Sequence, residues 1–153
     1  MDQRSMKLRL EGYANMLKEL RMQLARLERK VAALGEIGGL DYSRGMVAAP
    51  PGDPVANEIQ AIEHLREAVA EIAVREEAEH AALERIIARM ANAEQRAVIR
   101  MRYFDGLDWG DIADCFYGDR TDFDIYRGEY IHILQKIHTR AVAAMAASVL
   151  KTA

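Results

Sequence analysis

Cysteine, tryptophan, proline and any large excess of charge are all scarce in this 153-residue chain. The single cysteine, Cys115, excludes an internal disulfide and a cysteine-based zinc site. No apolar run is long enough to span a bilayer. The start, MDQRSMKLRLEG, is charged rather than apolar and lacks a signal-peptide pattern. Together these features predict a reducing, cytoplasmic setting with no membrane partner. Also missing are a Gly-rich phosphate loop, a nucleophile elbow and a paired-His metal motif. His64 and His80 share no metal-binding spacing. The expectation is a protein without catalysis, metal or cofactor. Net charge is −3, and no block is strongly basic. Residues 1–47 carry nine Lys/Arg against six Asp/Glu, 48–92 four against nine, and 93–153 eight against nine. A single copy should therefore hold phosphate only modestly by charge alone.

What the chain does have is helix-forming sequence, rich in Ala, Leu, Glu and Arg. Met6, Leu10, Tyr13, Leu17, Leu20, Leu24, Leu27, Val31 and Leu34 recur at alternating steps of four and three. That is a heptad pattern, and it predicts one long helix from Gln3 to Leu34 with a coiled-coil seam. Gly35 is placed to end it as a left-handed C′ residue. A Gly- and Pro-punctuated linker follows, near 36–53. Asp53 as N-cap and Pro54 at the first helical position then open a second long helix, to about Ala91. Its stripe is Val55, Ile59, Ile62, Leu65, Val69, Ile72, Leu83, Ile86/Ile87 and Met90, interrupted by Glu76, Glu79 and His80. That polar gap either fixes register or marks a frayed stretch. The two helices are expected to fold back as a coiled-coil hairpin or to pair between chains, giving a domain over 1–91.

Residues 92–153 form the expected second domain. Asn92 and Gln95 can build a capping box ahead of a helix closed by Gly106. Asp108 and Asp111 repeat that arrangement for a short helix ended by Gly118. A long last helix begins between Thr121 and Asp124, with the stripe Tyr126, Tyr130, Ile133/Leu134, Ile137, Ala141, Met145 and Val149. Two short helices, a Gly-containing turn and a longer helix make a helix-turn-helix, so the whole chain reads as all-α. Tyr103, Trp109, Ile112, Ala113 and Ile137 are its expected core, with Trp109 packing the junction. Cys115 is expected to be buried, and His138 to pack or to face phosphate. Asp105, Asp108, Asp111 and Asp114 suit capping and solubility rather than cation binding.

The string EQRAVIRMRYFDGLDWGDIADCF resembles region 4 of bacterial sigma factors. It is closer to phage late-operon transcriptional regulators of the ArpU/RinA type. Arg102, Tyr103, Gly106, Leu107, Trp109, Ile112 and Ala113 match their "R-Y-x-x-G-L-x-W-x-x-I-A" string. His138, Thr139, Arg140, Ala141 and Val142 stand at their terminal "H-G-x-A-L". Tyr42, Ser43, Gly45 and Met46, with Arg44 interposed, then Asp53 and Pro54, are similar to their "Y-S-G-M" and "D-P" pieces. The sequence departs from the family at Thr139, which stands in place of glycine. It also has His132 and Ile133 where relatives often have a basic pair, and a longer, acidic stretch between Gly118 and Tyr130.

The resemblance implies a regulator of phage late genes in a bacterial host, reading double-stranded promoter DNA through the last helix. The core stripe leaves Gly128, His132, Gln135, Lys136 and Thr139 facing outward. Gln suits an adenine edge, Lys guanine acceptors, and the Thr methyl a thymine methyl. Arg127, Arg140, Arg96 and Arg100 suit phosphate. Homo-oligomerisation through the long helices would raise avidity. Two other functions fit the same sequence. One is an interaction module that contacts RNA polymerase or a sigma factor without DNA, favoured by the acidic GDRTDFDIYRGEY. The other is a packaging protein like a small terminase subunit.

Overall fold

The computed structural model describes residues 1–36 and 53–151, all of whose regular elements are helical. In chain order these are α1 (Gln3–Glu36), α2 (Pro54–Ala88), α3 (Ala93–Ile99), a π-helical turn (Arg100–Phe104), α4 (Trp109–Tyr117) and α5 (Phe123–Lys151). The linker pieces Tyr42, Ser43, Arg44, Gly45 and Met46 lie outside the described residues. No described helix is long and apolar enough to cross a membrane.

Local sequence sets most of the helix starts. The Ser5 amide donates to Asp2 Oδ1 at 2.6 Å, and the Val55 amide to Asp53 Oδ1 at 2.9 Å. The Gln95 amide donates to Asn92 Oδ1 at 3.0 Å, and the Asp111 amide to Asp108 Oδ1 at 2.8 Å. Each bond satisfies a donor that the first helical turn leaves without a partner. Gly35, expected as a left-handed C′ residue, lies instead within α1, which runs on to Glu36. The glycine that takes a positive φ, at 70°, is Gly106. There the Leu107 amide reaches back six residues to the Met101 carbonyl at 3.0 Å, one residue further than the bond of a standard Schellman stop, in keeping with the π-helical turn before it.

Two compact units emerge, one of residues 16–77 and one of residues 1–15 with 78–153. Their division falls inside both long helices rather than at the 91/92 boundary expected from sequence. In the 16–77 unit, Leu20 of α1 clusters with Leu65, Val69 and Ile72 of α2, with Met16, Leu27 and Ala73 packed around them. Lys30 Nζ stands 3.9 Å from Glu58. Numbers rise along one helix as they fall along the other, so these segments run antiparallel.

In the other unit, Met6, Leu10, Tyr13, Leu83, Ile87 and Met90 are buried. The polar gap in the α2 stripe is filled by specific partners. Glu79 takes Arg9 at 2.5 Å, and His80 Nδ1 shares a 3.0 Å hydrogen bond with the Tyr13 hydroxyl. Phe104 packs edge-on against Tyr13, with ring centroids 5.2 Å apart. A second cluster of Val98, Ile112, Ala113, Phe123, Tyr130 and Leu134 ties α3, α4 and α5 together.

Candidate nucleic-acid interface

The expected core of the helix-turn-helix assembles. Ile112 and Ala113 are fully buried, Tyr103 is buried, and Trp109 and Ile137 are half-buried against the central cluster. The π-helical turn comes before the inter-helix turn, where the Asp105 amide bonds the Arg100 carbonyl five residues back at 3.0 Å. Arg102 then locks that turn. Its Nη1 donates to the Leu107 carbonyl at 3.1 Å, and its guanidinium lies 4.9 Å from the Trp109 ring centroid.

His138 packs behind Trp109, edge to face, with centroids 5.3 Å apart. Its Nε2 and the Tyr103 hydroxyl share a 2.7 Å hydrogen bond. Burial, reinforced by the positive charges of Lys7 and Arg102, holds the imidazole down at about 4. Burial, with the Glu11 charge nearby, pushes the Tyr103 hydroxyl up to about 12. His138 is therefore held toward its neutral form and packs against Tyr103 and Trp109. Cys115, expected to be buried, is exposed. It lies on the outer face of α4, beyond the inward pair Ile112 and Ala113.

α5 begins at Phe123 and kinks at Tyr126, where φ is −108° and ψ 20°. The kink turns Tyr126 out of the expected core stripe, leaving it 47% exposed, and the buried Phe123 takes its place. Sequence alone left Ile133 and Leu134 as joint core candidates. Leu134 is fully buried and Ile133 is 44% exposed, because the inward face of α5 centres on Tyr130, Leu134 and Ala141. Tyr130 is further anchored by its hydroxyl, which donates to Asp122 Oδ1 at 2.8 Å. Arg120 covers Tyr117 and Tyr130, which stack at 4.5 Å, so the acidic turn is pinned by aromatic contacts.

His132, Gln135, Lys136, Thr139 and Arg140 all lie exposed on α5. Arg127 is exposed as well, and its guanidinium reaches over the first turn of α4; a Cβ added to Gly110 would come within 2.5 Å of it. Thr139 is the least free of this set. Its hydroxyl donates to the Gln135 carbonyl at 3.0 Å, and its own carbonyl accepts from Gln3 Nε2 at 3.2 Å. Arg100 is bound to the Glu84 carboxylate, and Arg96 donates to the Met90 carbonyl. Arg100 thus joins the π-helical turn to α2, and Arg96 joins α3 to the stretch just after α2.

Two cations that sequence reasoning passed over stand beside this face. Arg4 and Lys7, with Gln3, line a shallow groove against His138, Thr139 and Val142. No local pattern could flag them, since about 130 residues of chain separate them from α5. Acidic side chains are exposed on α4, on the turn after it and on the start of α5, namely Asp111, Asp114, Asp119, Asp124 and Glu129. Among the described residues no group of His, Cys, Asp and Glu converges as a metal site would require. No family model, curated protein or solved structure matches this chain.

Proposed function

We propose that the protein is a non-enzymatic, DNA-binding transcriptional regulator of the phage late-gene kind, with α5 as its reading helix. The observation that carries this reading is the outward row His132, Gln135 and Lys136 on a helix whose opposite side is locked into the α3–α4 core. A rigid helix with an exposed polar row can enter a major groove and present donors and acceptors to base edges. Gln135 and Lys136 then choose sequence, while Arg127, Arg140, Arg4 and Lys7 hold phosphates on either side. His132 and the Thr139 methyl border the reading row. Arg96 and Arg100 act mainly by fixing the unit to α2.

The test is selection from a random DNA duplex pool, followed by binding measured over a salt range. An enriched motif is expected. Gln135→Ala should cost about 1–3 kcal/mol at one base position. Arg140→Ala should weaken all sequences alike and flatten the salt slope by about one. No enrichment and no salt-dependent binding by the folded protein would overturn the reading.

A second reading has its own support. Ile125 at 78%, Tyr126 at 47% and Ile133 at 44% exposure lie on α5 among acidic residues. An apolar and acidic surface of this kind suits a protein partner, such as RNA polymerase or a sigma factor. Co-purification with polymerase, lost in Ile133→Asp without loss of DNA binding, would establish it.

A further inference from the structure

We infer that the 16–77 unit pairs with a second copy of itself, antiparallel, with Leu24 of α1 near the two-fold axis. The inference is independent of DNA binding and rests on the half of the heptad seam that α2 leaves open. Along α1 the seam splits into two rows. Leu20, Leu27 and Leu34 form the row turned toward α2, where Leu20 and Leu27 join the cluster with Leu65, Val69 and Ile72. Leu17, Leu24 and Val31, seven residues apart, form the other row. Leu24 is 40% exposed, and Leu17 and Val31 are half-buried. Met6 and Leu10, on the same two rows one to two heptads earlier, are both fully buried. An apolar row at strict heptad spacing is what a further helix packs against.

Charge selects the occupant and its direction. Arg21 and Glu28 flank the open row on one side, at equivalent heptad positions, and both are exposed. In antiparallel pairing these positions face their own counterparts across the seam. With the axis at Leu24, Leu24 meets its copy, Leu17 meets Val31 of the second copy, and Arg21 falls within one residue of the level of Glu28, inside side-chain reach, once on each side of the axis. In parallel pairing, Arg21 and Glu28 would instead need partners from the other flank of the seam. That flank is committed to α2, since Met16 packs in the shared cluster and Lys30 pairs with Glu58. The row is thus self-complementary in one direction only, as an isologous contact requires.

Full-length protein tests this by light-scattering mass across roughly micromolar to hundreds of micromolar concentration. The wild type should rise from one chain to two. Leu24→Asp, at a position already part-exposed, should stay monomeric while keeping the wild-type helical spectrum. Arg21→Glu and Glu28→Arg should each weaken pairing at least tenfold, and together they should restore it. Direction is read with a short bismaleimide in a Cys115→Ser background. A mixture of Leu17→Cys and Val31→Cys chains should cross-link between them, whereas Leu17→Cys alone should not. A wild type that stays monomeric throughout, a double charge swap that fails to restore pairing, or efficient cross-linking of Leu17→Cys to itself would each overturn the inference. DNA binding by a strictly monomeric wild type would sink this proposal and leave the DNA reading intact.

Discussion

Leu10 and Leu24 occupy the same row of one heptad pattern on one continuous helix. Leu10 lies in the unit made of residues 1–15 and 78–153 and is completely buried, whereas Leu24 lies in the 16–77 unit and is 40% exposed. The sequence treats the two leucines alike; the number of helices in each unit does not. A unit with several helices surrounds α1 and covers both rows of its seam. A pair of helices covers only the facing row of each. Heptad spacing therefore states which residues want burial, and the local helix count states whether they obtain it.

The contrast is broken most severely by deleting residues 1–15. Met6, Leu10 and Tyr13 leave the core together, and each buried side chain of this size contributes about 1.5–3 kcal/mol. That sum is of the order of a small domain's whole stability, roughly 5–15 kcal/mol. The truncated protein should lose its cooperative thermal transition by circular dichroism. An unchanged melt would mean that the helix-turn-helix unit needs none of residues 1–15.

Single substitutions sharpen the same comparison. Leu10→Ala should cost ~3–5 kcal/mol in urea unfolding, as for a fully enclosed leucine. Leu24→Ala, measured where the protein is dilute, should cost less than about 1 kcal/mol. Equal costs would show that both rows are enclosed within one chain. Trp109→Ala should cost about 3 kcal/mol, the low end for a large aromatic, because the ring is half-buried. The loss should appear with weakened locking of Arg102 and His138, read as a changed His138 proton shift by NMR.

Acid provides a smaller effect confined to the same unit. The folded-state value for His138 lies at about 4, below its ordinary value of 6.5. The unfolded chain therefore binds the proton first as pH falls. Stability from the neutral imidazole is complete above pH 6.5 and is lost as pH drops toward 4. Partial solvent exposure reduces the effect to about 1 kcal/mol. Urea unfolding of wild type against His138→Gln between pH 7 and 4 checks it, and parallel pH profiles would refute it. Smallest of all, Lys30→Ala in the two-helix unit removes an ion pair at 3.9 Å and should change stability by less than ~1 kcal/mol.

Much of the fold is local and was legible in the residues. Asp53 with Pro54, Asn92 with Gln95, and Asp108 with Asp111 mark helix starts through bonds that span two or three residues. Gly106 marks a stop because only its backbone takes φ of 70° without strain. The outward row His132, Gln135 and Lys136 also follows from periodicity once one inward residue is fixed. Other features depend on partners far away in the chain. Ile133 or Leu134 could each have been the inward residue on α5, and packing against Val98, Ile112 and Ala113 decided for Leu134. Glu79 and His80 read as a defect in a stripe until Arg9 and Tyr13 came beside them.

By itself the sequence determined the helices, their caps and the heptad rows, because these depend on side chains within a turn or two of each other. Only the tertiary structure decided that His138 is held toward its neutral form and that Arg96 and Arg100 are tied to α2 and the loop after it. It also decided that Arg4 and Lys7 line a groove with His138 and Thr139 of α5, and that α1 is enclosed over residues 1–15 and half-open beyond. Burial and charge pairing depend on which distant segments meet, and no periodicity within one helix carries that information.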